Sequence, residues 1–224
     1  MSVLLSTLDY ASYLSYTPRP REAKPEEILS KRIRYLIKGD AIVSFKDTQN
    51  VPMSEFIAKS LKEELGSLPF SNLFGKDISL VPVPKSSLMV PGTLWVPQRI
   101  VNALCKLELG KELNCLIRKE VVLTSHLTRP EDRPKAIDHY RTIDVQTNIG
   151  EAPKSILLVD DFITKGATLL GAASRLNEAF PNIPISAFVI MRTISNPVDF
   201  EKINSPVVDG KITLNPDGST HRDP

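Results

Sequence analysis

Two adjacent aspartates, Asp160 and Asp161, close a run of four apolar residues, Ile156 to Val159, and Thr164, Lys165, Gly166, Ala167 and Thr168 follow within a few positions. Carboxylates only accept hydrogen bonds, so an acid pair suits the vicinal hydroxyls of a sugar, or a metal ion bridging nearby oxygens. The loop behind the pair has the opposite character. Two threonines offer hydroxyl donors, Lys165 a mobile positive charge, and Gly166 lets backbone come close to a ligand. A helix starting here adds its first amides and the positive end of its dipole, which makes an anion site, and phosphate is the usual anion. Phosphate at one end and hydroxyls at the other describe a ribose 5-phosphate. A plain strand-to-helix turn requires no such ordered coincidence. The Walker A arrangement needs Gly-Lys followed by Ser or Thr, whereas the order here is Lys-Gly, and no GxGxxG is present.

The elements that must position these residues follow from hydrophobic spacing. "SILLVDD" reads as a buried strand, Gly166 to Phe180 as a helix, and "PISAFVIM" as the next strand. Upstream, Pro25 opens a helix with Ile28, Leu29, Ile33, Leu36 and Ile37 on one face, and "AIVSF" is a short strand. Ser54 caps a second helix, "DISLVPV" is a strand, Pro97 lies at the start of a third helix, and "CLIRKEVVL" is a further strand. Residues 124–150 read as a long loop with one helical turn, and "KITLNPDGSTHR" as a hairpin around Pro216, Asp217 and Gly218. The first 24 residues, rich in Tyr, Ser and Pro, read as an irregular arm or cap. Strands alternating with helices predict an α/β fold, doubly wound around a mainly parallel sheet. The expected organisation is an N-terminal arm and hood over residues 1–50, a core over 51–195 and a tail from 196 to 224.

The stretch from Ile156 to Thr168 resembles the phosphoribosyl pyrophosphate (PRPP) motif of the type I phosphoribosyltransferases: apolar run, two acids, then a loop like "VITTGAT". Lys165 stands where threonine is commonest. The resemblance implies that fold, with a small variable hood, and assigns the 5-phosphate to Thr164, Lys165, Gly166, Ala167 and Thr168 and the ribose hydroxyls to Asp160 and Asp161. "SLVPVPKSS" resembles the strand end of the ComF-like branch, proteins linked with DNA uptake, and by that likeness Pro84, Lys85, Ser86 and Ser87 bind pyrophosphate. Arg141 matches the arginine of that branch's later loop, although the branch's glutamine, asparagine and zinc-ligand cysteines are missing here. The resemblance spans roughly residues 77–192.

What it implies is transfer of ribose 5-phosphate from PRPP to a small acceptor, a nucleobase being the expected class, with release of pyrophosphate and with Mg2+ held mainly by PRPP. Asp160, Asp161 and Arg141 are the expected catalytic residues. No side chain stands out as a general base, and no residue set marks a protein-held metal. The loop from Arg118 to Arg141 holds several cations together with His126 and His139, and a mobile basic loop closes over pyrophosphate. Lone loop histidines are more often simply exposed. The second reading is a PRPP- or nucleotide-sensing regulator, or a component of DNA uptake or phage defence, with Lys165 as the separating feature; hydrolysis, with water as acceptor, is a third. Orotate, uracil, adenine, hypoxanthine and a non-nucleobase all remain open as acceptors.

Length and composition bound these readings. The chain of 224 residues, 42% apolar and 24% charged, suffices for one sizeable core. A formal net charge of +2, with the signs interleaved, suggests neither a nucleic-acid stripe nor a membrane face. Cys105 and Cys115 form no CxxC pair, and the three histidines do not space like metal ligands. With no basic leader and no long apolar run, the expected setting is the cytoplasm and the expected assembly a homodimer.

Overall fold

Four consecutive apolar side chains without alternation need burial on both faces, and the run Ile156–Val159 obtains it in the interior of a seven-stranded sheet. The computed structural model describes residues 4–18, 24–44, 50–122, 133–147 and 152–223. In chain order the elements are β1 (Thr7–Tyr16), α1 (Pro25–Lys38), β2 (Ile42–Val43), β3 (Val51–Pro52), α2 (Met53–Glu64), β4 (Ser79–Pro82), α3 (Val96–Lys106) and β5 (Lys111–Glu112). They continue with β6 (Leu116–Arg118), α4 (Ala136–Thr142), β7 (Ile143–Val145), β8 (Ile156–Ile163), α5 (Ala167–Ala179), β9 (Ile185–Thr193), β10 (Val207–Leu214) and β11 (Thr220–Asp223).

The main sheet runs β11-β10-β1-β9-β8-β4-β5; the five strands from β1 to β5 in that order are parallel, and the C-terminal hairpin adds two antiparallel strands beyond β1. Helices cover both faces. On one side Leu157 and Val159 of β8 pack with Ile57 and Leu61 of α2 and Ile100, Val101 and Leu104 of α3. On the other, Ile156 and Leu158 meet Leu169, Leu170, Ala173 and Leu176 of α5. The fold is therefore α/β and doubly wound around a mainly parallel sheet. Among the described residues no helix is long and apolar enough to cross a membrane.

The N-terminal residues correct the expectation of an irregular arm. Thr7–Tyr16 is a strand inside the sheet, parallel to β9 and antiparallel to β10. Leu8 and Ala11 are buried beside Tyr10, Tyr13 and Tyr16, and Ser12 and Ser15 are fully buried between the tyrosines. With both faces covered there is no alternation to read, and tyrosines and serines give the composition of a loop. The hydroxyls find partners where they can: Tyr13 donates to Glu64 and Ser15 to the carbonyl of Lys202.

Other boundaries also shift. The strand expected over 115–123 contracts to β6, which pairs with β7 in a small separate sheet. Ser54 does not cap α2, which begins at Met53; the carboxylate of Asp40 accepts from the Ser54 amide at 2.8 Å and serves the same need. In α1, Ile28 and Leu29 are about half exposed while Glu27 and Ser30 are buried. The Glu26 carboxylate accepts from the Ile203 amide, which docks the tail on the first turn of α1.

Candidate active site

Both aspartates lie in the carboxyl-terminal half of β8, on the side of a parallel sheet where ligands bind. Asp160 accepts a hydrogen bond from the Asp161 amide at 2.8 Å. Burial, and then the negative charge of Asp161, push the Asp160 carboxyl well above the usual carboxylate range, against a smaller opposing pull from Lys38. Asp161 is buried and accepts from the Lys38 ammonium at 2.8 Å.

Lys38, in the last turn of α1, was not visible as a site residue because a cation there reads simply as a partner for the helix dipole. Its ammonium also lies 4.7 Å from the centroid of the Phe162 ring. One turn earlier, Arg34 stacks near Tyr16, Tyr35 and Phe162. The first helix is thereby fastened over the acid pair. Lys38→Met removes the only cation bonded to Asp161 among the described residues, and the lysine side chain is 42% exposed, so the expected loss lies between surface and buried limits. It amounts to about 1–2 kcal/mol. Urea unfolding at neutral pH measures it; an unchanged midpoint would show that the pair does not anchor α1.

The loop after β8 is built around Gly166, whose φ of +86° lies in the left-handed region and whose absent Cβ would sit 2.7 Å from the side chain of Ile212. Only glycine meets both demands. The first intrahelical bond of α5 runs from the Leu170 amide to the Gly166 carbonyl, so the amides of Ala167, Thr168 and Leu169 point out of the helix's N-terminus. Thr164 and Lys165 are exposed at its mouth, and the Thr164 hydroxyl is 3.2 Å from that of Thr193. Lys165 pairs with no carboxylate among the described residues.

The C-terminal hairpin braces this loop, a role that sequence reading did not give it. Arg222 of β11 donates to the carbonyls of Thr164 (2.8 Å) and Thr193 (2.7 Å) and to the Tyr10 hydroxyl (2.7 Å). With Ile212 beneath Gly166, the hairpin forms the back wall of this loop.

Pro82 of β4 is in register with Val159, so the turn carrying Pro84, Lys85, Ser86 and Ser87 leaves the sheet beside the acid pair. Its backbone is held by the Lys85 carbonyl, which accepts from Arg118 Nε at 2.9 Å, and by the Ser86 carbonyl, which accepts from the Val122 amide. The Lys85 ammonium donates to the Thr93 hydroxyl and the Leu94 carbonyl. Trp95 donates its indole N–H to the Val83 carbonyl, which fixes it as a packing residue here.

Arg141 is exposed in the last turn of α4, and among the described residues its side chain bonds neither to the acid pair nor to either loop. The residues of that region that do face inward are others. Arg118, read both within the strand over 115–123 and as the start of a mobile basic loop, lies at the strand's end and is only 2% exposed, and His139, expected to be exposed, is 6% exposed. Burial draws the Arg118 guanidinium down to about 10, which leaves it charged at neutral pH. Burial, and secondarily Arg118, take the His139 imidazole down to about 4, so it is neutral there. His126 lies outside the described residues. Cys105 and Cys115 are both pushed up by burial, to about 11 and about 12, and are not poised as nucleophiles.

No family model and no curated protein matches the chain. Solved structures with a similar fold include a hypoxanthine phosphoribosyltransferase from Staphylococcus aureus in a tetragonal crystal, 13% identical, with a TM-score of 0.35 over 66% of this chain and 70% of that one. They also include a glutamine variant made to analyse an invariant aspartic acid in HPRTs, 13% identical, with a TM-score of 0.31 over 84% of this chain and 93% of that one. At this distance the functional reading rests on the residues of the site.

Proposed function

We propose that the protein is a phosphoribosyltransferase that takes PRPP as donor, transfers its ribose 5-phosphate to a small acceptor of the nucleobase class and releases pyrophosphate. The observation that carries this reading is the convergence of an acid pair, a helix-terminal anion site and a second loop at the carboxyl ends of the adjacent strands β8 and β4. The 5-phosphate is held by the first amides of α5 with Thr164, Lys165 and Thr168. Asp160 and Asp161 accept from the ribose hydroxyls. Pyrophosphate lies along Pro84 to Ser87, where Lys85 exchanges its neutral partners for a charged one.

In the reaction the bond from the ribose C1 to the pyrophosphate oxygen breaks as the acceptor's lone pair forms the new bond to C1, and positive charge develops on the sugar. Burial and Asp161 disfavour the charged form of Asp160 in the resting protein. A positive charge developing on the sugar favours that charged form only in the transition state, which lowers the barrier without tightening substrate binding. Among the described residues no three His, Cys, Asp or Glu side chains cluster to cage a metal. Asp160 and Asp161 are the hard oxygen donors that would help to hold a magnesium ion bound together with PRPP, and such an ion would supply charge neutralisation for the leaving group.

Calorimetric titration with PRPP and magnesium, followed by pyrophosphate detection over a panel of bases, tests the reading. Binding followed by release with one base is the expected result, and Asp161→Asn should weaken PRPP binding about tenfold, through loss of a charged acceptor. Absence of PRPP binding in the wild type overturns it, and binding without release for any acceptor reduces the protein to a PRPP-binding one.

A further inference from the structure

We infer that Arg118 and His139 form a buried hydrogen-bond relay that turns the Thr168 hydroxyl into the anion site and ties the two phosphate loops together. The inference rests on the phosphoribosyl reading for the identity of the anion, and on geometry alone for the relay.

A guanidinium only donates, so every group bonded to it must accept. Arg118 gives Nε to the Lys85 carbonyl at 2.9 Å and Nη1 to the Thr142 hydroxyl at 2.6 Å, and Nη2 faces His139 Nδ1 at 3.5 Å. Nδ1 must then carry the lone pair. A neutral imidazole has one N–H, which falls to Nε2, and that nitrogen lies 3.3 Å from the Thr168 hydroxyl oxygen. Because the Thr168 oxygen accepts a hydrogen bond from the histidine, its own O–H is free to donate elsewhere. Thr168 lies in the first turn of α5, so the open direction is the one its neighbouring amides take, toward the anion. The relay thus runs from the backbone of the pyrophosphate loop to a donor of the 5-phosphate loop.

The scaffold fixes this contact. Gly171, three residues after Thr168 and so on the same face of α5, has no room for a Cβ: it would meet the Ala136 carbonyl at 2.6 Å and His139 Cβ at 2.7 Å. Helix α4 therefore rests on the backbone of α5 with His139 at the level of Thr168. The Tyr140 hydroxyl donates to Glu178 at 2.7 Å, and Arg175 bonds to the Ile143 carbonyl and to Asp144, which locks the pair of elements. Arg118 itself has no carboxylate partner among the described residues, although it is buried. An uncompensated buried cation is costly, and anions on the two flanking loops supply the missing counter-charge. Arg118 and His139 act through Thr168 and Lys85 and are positioning residues.

Nitrogen-15 NMR of the histidine rings of the full chain at neutral pH reads the relay directly, with the His139 signals assigned by their loss in His139→Gln. The expected result is the Nε2-protonated tautomer, with a shift of the Nε2 resonance when inorganic phosphate or ribose 5-phosphate is added. His139→Leu is expected to weaken ribose 5-phosphate binding about tenfold, the worth of one hydrogen bond, and His139→Gln, which can accept and donate, to restore part of it. An Nδ1-protonated ring, or a ring blind to phosphate, overturns the inference even if His139→Leu does not fold. PRPP turnover with the wrong tautomer sinks the relay and leaves the enzyme; the right tautomer responding to inorganic phosphate but not to PRPP sinks the enzyme and leaves the relay.

Discussion

Asp160→Asn is expected to melt several degrees above the wild type near pH 8 and to bind PRPP weaker by about tenfold or more. The Asp160 carboxyl is raised by burial and by Asp161, so the folded protein holds that proton more tightly than the unfolded chain does. The resulting stability is complete below the ordinary aspartate value of 3.8 and is lost as pH rises through the raised one. At neutral pH the wild type therefore carries the cost of a buried carboxyl held away from its ordinary titration, a cost that asparagine, of the same shape, does not have. Lys38 offsets part of that cost and not all of it, because its ammonium bonds to Asp161 rather than to Asp160. Thermal melts from acid to mildly alkaline pH check the argument: the two proteins should converge at the acid end and separate as pH rises. A difference independent of pH would mean that the effect comes from packing. Under the proposed function the gain in stability and the loss of ligand have one cause, since the carboxylate that burial penalises is the one proposed to accept from the ribose hydroxyls.

How much of this was legible in the sequence depended on whether chemistry and local pattern coincided. Ile156–Val159 announced a buried strand because nothing but full burial accommodates such a run, and Asp160, Asp161 and Gly166 stood out because their types are wrong for a core and right for a ligand. The hairpin turn was equally local, set by Asn215 to Ser219, with Gly218 in the left-handed region. What escaped depended on residues far apart in the chain. Strand β1 gained its burial from β9 and β10, more than a hundred residues downstream, and its own tyrosines and serines do not announce it. Lys38 became a site residue only when α1 folded over β8, and Arg222 only when β11 closed beside the loop. His139 was visible as a letter but not as a buried one: seven residues of α4 had to settle on Gly171 before its ring had a function. Arg141, the arginine that the ComF-like resemblance favoured, is two residues along the same short helix and faces outward, which a resemblance without the helix could not say.

Acid is expected to destabilise the protein through His139, by about 3 kcal/mol when the effect is complete. Burial and the neighbouring Arg118 hold the folded imidazole at about 4 against an ordinary 6.5, while Asp138 opposes them weakly. The unfolded chain takes up the proton first, so stability is fully present above the ordinary histidine value and is lost as pH falls toward the folded one. Asp160, whose carboxyl is raised, acts with the opposite sign above its ordinary 3.8, adding stability as pH falls, and the two effects partly cancel in the wild type. The Asp160→Asn background separates them. In that background, urea unfolding at neutral pH and near pH 4.5 should show a steep loss that His139→Gln largely removes. If the slope survives the glutamine, His139 is not the group that titrates, and its burial against Arg118 and Thr168 carries no cost in acid. If the slope disappears, the relay beneath the phosphate loops is held together by a histidine that the fold keeps neutral, and protonating it in acid would place a second cation beside Arg118 and remove the acceptor on which the chain of donors depends.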